Sequence, residues 1–184
     1  RFLLLHKELD PDDQEITPEA RHWLDELRCL RGVETVPRTW TTYARVPRIL
    51  KARVTAEDNL ARQPAAVSSE ARNIAFMLVA HARRCDGCFG ASRRELSTLG
   101  FDEPSLDGFC ANPAELPLPE RERLFVRYVL RIATDPTQLR PKDLREMEAQ
   151  GLSPTDVQEI AGFAAWAVMN TIFTTVAITA LSDE

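Results

Sequence analysis

The chain has 184 residues, 44% of them hydrophobic, and a formal net charge of −5. That composition excludes an intrinsically disordered chain, and the length suffices to bury a core without disulfide staples. Of 23 basic residues 20 are Arg, interleaved with Asp and Glu as in RERLFVRYVLR; this pattern predicts solvated helix faces laced with ion pairs, and without a basic block nucleic acid is not an expected partner.

Glycine is scarce and the prolines sit between apolar stretches, which predicts helices joined by short turns. The chain opens RFLLLHKELD, with no small-residue cleavage site, so no signal peptide is expected and the protein is placed in the cytoplasm. Thr17-Pro18-Glu19 starts a helix carrying Ala20, Trp23, Leu24, Leu27 and Leu30, and Gly32 ends it. Pro37 and Pro47 bracket a short segment holding Trp40 and Tyr43. A second helix runs from Pro47 toward Leu60. QPAAVSSE is a break, and Ser68 or Ser69 caps a third helix with Ile74, Met77, Leu78 and His81 on one stripe. CDGC interrupts it, Asp-Gly being a turn dipeptide, and a further helix runs from the cysteines to about Leu99, with Gly100 beyond. FDEPSLDGFCANPAELPLP reads as a loop with at most one helical turn. Leu124, Phe125, Tyr128, Val129 and Ile132 then mark an amphipathic helix, RPKDLREMEAQG is a short helix stopped by Gly151, and Ser153-Pro154 begins the last and longest. No strand-like alternation, internal repeat or linker intervenes, so the expectation is one all-α domain over 1–184, with N-terminal helices in 1–66, a cysteine-bearing core in 67–100 and C-terminal helices in 117–181.

From Ile160 to Leu181 no residue is charged, which is long enough to span a bilayer. Gly162, Asn170 and several threonines, acidic flanks and the lack of aromatic belts favour instead a helix buried in a core and in a homo-oligomer interface. Gly162, Ala164, Ala165, Ala167 and Ala177 permit close approach there, with Phe163, Trp166, Ile172 and Phe173 as anchors.

Four cysteines occur, at Cys29, Cys85, Cys88 and Cys110. Only Cys85 and Cys88 are close. Three residues apart on a helical turn, they share a face at nearly the geometry a disulfide needs. At a helix start, free N–H groups and the helix dipole favour the thiolate, the reactive form. Arg83, Arg84, Arg93 and Arg94 act in the same direction, and Asp86 against it. The pair therefore predicts dithiol–disulfide exchange, or attack on a peroxide followed by resolution of the sulfenic acid. Spacing does not say which sulfur attacks. Two other readings stand beside this one: a zinc site with His81 as third ligand, which lacks a second cysteine pair, and two buried structural thiols.

The segment SSEARNIAFMLVAHARRCDGCFGASRRELSTLG resembles the core of the alkylhydroperoxidase D-like, or carboxymuconolactone decarboxylase, family. LRGVETVPRTWTTYARVPRILKA upstream and LPERERLFVRYVLRIATDPTQLRPKDLREMEAQGLSPTDVQEIAGFAAWAVMN downstream resemble the peroxidase-related branch. The resemblance implies an all-α alkylhydroperoxidase D-like helical bundle, assembled as trimers or hexamers. It also implies a thiol peroxidase acting on organic hydroperoxides, with Cys88 attacking, Cys85 resolving, no bound cofactor, and an unidentified thiol as reductant. Peroxidase-active members carry Glu twelve residues before the first Cys and His four after the second; here those positions hold Asn73 and Ser92. Asn takes up no proton at neutral pH and Ser is a very poor base, so a weak peroxidase is expected, with Glu70 and His81 as candidate substitutes for the relay. The alternatives from other classes are a non-catalytic oligomer of this scaffold and a thiol–disulfide exchange protein without peroxidase activity.

Overall fold

The computed structural model describes residues 16–62 and 67–181; the opening RFLLLHKELD and part of the QPAAVSSE break lie outside the described residues. Among the described residues there are helices and no strand. Helix α1 (Pro18–Arg31) begins where Thr17 Oγ1 accepts the Ala20 N–H at 3.2 Å and ends at Gly32, whose φ of 63° is the left-handed conformation that lets it close the last carbonyls. Its buried Ala20, Leu24 and Leu27 pack on α3 (Pro47–Ala56). Between them the proline-bracketed segment forms a short helix α2 (Arg38–Thr41) and a 3₁₀ turn (Thr42–Arg45), burying Trp40 and Ala44. The helix expected to end near Leu60 runs on to Arg62, but Glu57–Arg62 widens into a π-helical turn, a form that is rare and concentrated at functional sites.

Helix α4 (Ser69–Ala82) is the centre of the molecule. Ser68 caps it, accepting the Ala71 N–H at 3.1 Å, and is itself held by Glu122, which accepts from the Ser68 N–H at 2.7 Å. Ala71, Ile74, Ala75, Met77, Leu78, Val79 and Ala80 are all buried, because α4 packs against α5 (Asp86–Thr98), α7 (Glu120–Thr134) and α9 (Pro154–Leu181) at once. His81, placed on that stripe by its spacing, is exposed.

The segment after Gly100, read as a loop, contains a nine-residue helix, α6 (Glu103–Ala111). Asp102 caps it through the Ser105 N–H at 2.9 Å, Pro104 stands in its first turn, and Leu106 and Phe109, three apart, are its buried face. So short an apolar stripe is hard to separate from a loop by periodicity. Helix α8 (Pro141–Ala149) follows α7 and is tied to it by the buried Asp143 carboxylate, which accepts from Arg131 at 3.0 Å and from the Arg140 N–H at 2.7 Å. Those two partners hold its carboxyl below the usual carboxylate range, the backbone hydrogen bond first.

Helix α9 is long and apolar enough by length and composition to cross a membrane, yet half of that stretch is buried within the protein. Phe163 and Trp166, expected as oligomer anchors, are buried in its own core, Phe163 edge-on to Phe125 at 5.2 Å. Phe173 packs edge-on to Tyr43 at 5.0 Å, while Ile172 and Val176 are exposed.

Candidate redox site and its cavity

The connection between α4 and α5 sets the cysteine pair. Arg84 has a φ of 55°, a conformation L residues seldom adopt. The Cys85 N–H reaches back to the Ala80 carbonyl at 2.9 Å and the Arg84 N–H to that of His81 at 3.1 Å. This is a Schellman closure with Arg where Gly is usual. Cys85 thus ends one helix and, as the N-cap residue, starts the next. The chain reverses at Arg84, two residues before the expected Asp-Gly turn, and Asp86 and Gly87 form the first turn of α5.

Gly87 is there for close approach rather than for its backbone. A Cβ on it would run into Ile178 Cδ1 and stand 3.6 Å from Thr174 Cγ2, both on α9. Gly87→Ala is therefore expected to cost about 1 kcal/mol by driving Ile178 off its rotamer. Thermal unfolding of the single variant and of Gly87→Ala with Ile178→Ala checks this: the second change is expected to recover most of the loss that the first adds.

Cys85 and Cys88 are joined as a disulfide with Cα atoms 5.3 Å apart, and Cys29 and Cys110 are unpaired. Burial pushes the Cys110 thiol up, away from the thiolate. Both sulfur-bearing residues are buried, at 2% and 4% exposure, against Ala80, Phe76 and Phe89. The first intrahelical bond of α5 runs from the Phe89 N–H to the Cys85 carbonyl at 2.8 Å. The N–H groups of Asp86, Gly87 and Cys88 therefore precede it at the positive end of the dipole, the environment that favours a thiolate.

Of the two cysteines only Cys88 lines a cavity of about 400 Å³. Beside it on α5 are Ser92 and Glu95, and Asn73 faces them from α4. The buried Ser92 hydroxyl donates to the carbonyl of Cys88 at 3.0 Å, so its proton is engaged by the backbone. Asn73 Nδ2 donates to Glu95 Oε1 at 3.1 Å. Glu95 thus sits against the position where the family resemblance calls for a carboxylate; Cys88, Ser92 and Glu95 follow at i, i+4 and i+7, a spacing that could have revealed it. The opposite wall comes from the N-terminal helices, where the buried Glu57 is gripped by Arg31 Nε and Nη2 at 2.7 and 2.8 Å.

The remaining charged residues of the sequence motif are dispersed. Arg83 donates to Thr171 Oγ1 at 3.0 Å and Arg93 pairs with Glu103 and Asp107, both holding neighbouring helices. Arg94 alone of the four arginines lines the cavity. Neither relay substitute does so: Glu70 is held by Ser69, and the His81 ring lies tilted on Phe89 at 5.2 Å between centroids. Among the described residues, no group of three or more His, Cys, Asp and Glu side chains is placed to hold a metal ion.

The fold is that of the alkylhydroperoxidase AhpD core. An uncharacterized peroxidase-related protein from Silicibacter sp. TM1040 superposes with a TM-score of 0.75 at 17% identity, over 94% of this chain and 89% of that one. A second such protein, from Ralstonia eutropha JMP134 and described as an alkylhydroperoxidase AhpD core, gives 0.74 at 17%, over 93% and 90%. No family model and no curated protein matches the sequence.

Proposed function

We propose that this protein is a cytoplasmic thiol peroxidase of modest rate, in which Cys88 attacks an organic hydroperoxide and Cys85 resolves the product. The observation that carries the reading is that the disulfide sits at the start of α5 with Cys88, and not Cys85, opening on the cavity. The Cys88 thiolate attacks the terminal peroxide oxygen and breaks the O–O bond, giving Cys88 sulfenic acid and an alkoxide that leaves as alcohol with the proton the thiol gave up. Cys85 sulfur then displaces the sulfenic hydroxyl, water departs, and the disulfide forms. A thiol reductant entering the cavity returns the pair to dithiol, itself becoming oxidised. Burial of both sulfurs favours a small peroxide over a bulky protein disulfide as oxidant.

The test is peroxide-dependent loss of thiols in the reduced protein, two per peroxide consumed. Cys88→Ser is expected to abolish it, whereas Cys85→Ser should leave a Cys88 sulfenic acid that dimedone traps. Retention of both thiols under excess hydroperoxide, with disulfide formation on adding a disulfide oxidant, would move the protein to the exchange class.

The proposal extends to a homo-oligomer joined through α9. Ala161, Ala165, Val168, Ile172, Val176 and Thr179 form a stripe without charge, and Ile172 and Val176 are 51% and 53% exposed. Such a stripe is costly to leave in water. Ile172→Asp is expected to dissociate the assembly, the half-buried Val168→Asp less cleanly because it also faces its own core. Light scattering decides: a wild-type mass of one subunit at micromolar concentration ends this part of the proposal.

A further inference from the structure

The protein is acidic, at a formal −5, but the cavity at Cys88 is not. Among the described residues Arg31, Arg38, Arg62, Arg72 and Arg94 line it, against the two carboxylates of Glu57 and Glu95, a formal surplus of three positive charges. Low-dielectric walls focus such a surplus on the cavity interior. Arg31 is engaged by Glu57, and Arg62 reaches the same carboxylate at 3.6 Å. Arg94 is exposed and makes no hydrogen bond or ion pair to any described residue. It projects from α5 within the same cavity lining as Cys88. Phe76, Phe163, Trp166 and Ile178 supply an apolar wall, and Asn73, Ser92, Asn170 and Thr174 are among the polar residues beside it. Trp166 is 7% exposed and its indole N–H is buried without an acceptor, an unfavourable contribution to stability.

A cleft of this size, with an aromatic wall and convergent polar and charged groups, fits a small organic ligand. Resting on the peroxidase reading for the chemistry at Cys88, we infer that the substrate class is a hydroperoxide carrying a carboxylate on an apolar frame. Arg94 takes the carboxylate and the aromatic wall takes the frame.

The binding half can be read without turnover. Calorimetric titration of the oxidised full chain with 4-phenylbutyrate and with 4-phenylbutyramide compares equal frames with and without the charge. The carboxylate is expected to bind about tenfold more tightly at low salt, as for a hydrogen bond to a charged group, and the ratio to shrink as salt is raised. Arg94→Gln, at an exposed position, should bring the ratio near one. Equal affinities in the wild type, no binding of either probe at millimolar concentration, or an unchanged ratio in Arg94→Gln overturns the inference. In parallel, thiol loss is followed with a phenylalkyl hydroperoxide and its carboxylated counterpart. If neither oxidises the pair while the binding ratio and its loss in Arg94→Gln hold, the peroxidase reading falls and the anion site stands. If the neutral peroxide reacts as efficiently as the acid, the substrate class is wrong although the peroxidase reading survives.

Discussion

Replacing Asn73 by Glu together with Ser92 by His is expected to raise hydroperoxide-driven oxidation of the Cys85–Cys88 pair about 10²-fold or more, the usual contribution of a positioned proton relay. The structure gives the reason the wild-type residues fall short. The Ser92 hydroxyl proton is given to the Cys88 carbonyl, and the Asn73 amide is donated to Glu95. Neither side chain can take the thiol proton at neutral pH. The first substitution also carries a complication that can be measured. A Glu at position 73 would meet the carboxylate that the Asn73 amide now holds at 3.1 Å. Two carboxylates that close do not ionise together readily, and one of them has its pKa raised. A base must be ionised to accept a proton, so the rising limb of the pH–rate profile of the double variant is expected to move to higher pH. Adding Glu95→Gln replaces repulsion by a hydrogen bond and should move it back down. A double variant no faster than the wild type, with its fold intact, would mean that the proton already has a route. Glu95→Gln in the wild-type sequence is then the deciding variant, and a tenfold loss would name Glu95 as the acceptor.

How far the sequence could be read depended on whether the signal was local. Thr17 and Gly32 mark the limits of α1 and Ser68 marks the start of α4, because caps are properties of a few adjacent residues. The pairing of Cys85 with Cys88 follows from a spacing of three, and the helical fold from the 3.6-residue periodicity together with the family resemblance. What escaped was set by partners far along the chain. Gly87 reads as half of a turn dipeptide, whereas its lack of a side chain makes room for Ile178 more than ninety residues later. Arg83 and Arg93 read as electrostatic neighbours of the thiols but are drawn away by Thr171 and by Glu103 with Asp107. The positive wall of the cavity is assembled from α1, α2, the π-helical turn, α4 and α5, and no single segment announces it. Interleaved arginines predict a solvated surface, and Arg53, fully buried, is the clearest exception.

Arg53→Ala is expected to destabilise the protein by about 2–5 kcal/mol, the range for removing a large buried side chain, or a fall in Tm of roughly 4–20 °C for a chain of this size. Arg53 is fully buried at 0% exposure. Its guanidinium lies 3.8 Å from the ring centre of Trp40, 4.8 Å from that of Tyr43 and 4.9 Å from that of Phe173. Nη2 donates to Asn170 Oδ1 at 3.1 Å and Nη1 to the Thr39 carbonyl at 3.3 Å, whereas Nε has no partner. The side chain therefore joins the N-terminal cluster of α1–α3 to α9, a junction the Tyr43 hydroxyl reinforces by donating to the Phe173 carbonyl at 2.9 Å. Burial pulls its pKa down to about 10, so it remains a cation at neutral pH. A base whose folded pKa is lowered loses stability for being charged, and the loss is full below about 10 and relieved only as pH rises above that, toward the ordinary guanidinium value. The charge is thus an unfavourable contribution that aromatic contact and two hydrogen bonds offset. Arg53→Met keeps most of the volume and removes that contribution, at the expense of leaving Asn170 Oδ1 and the Thr39 carbonyl without this donor. It is expected to be much milder than Arg53→Ala, with a difference from the wild type that is the same at pH 6 and pH 8, since Arg53 does not titrate between them. Asn170, Thr39 and Trp40 also line the cavity, so Arg53→Ala should slow the reaction of Cys88 with peroxide even below its unfolding temperature. A Tm within a degree of the wild type for Arg53→Ala would show that the two clusters are held together by the remaining contacts of α9, and that the buried guanidinium is not what joins them.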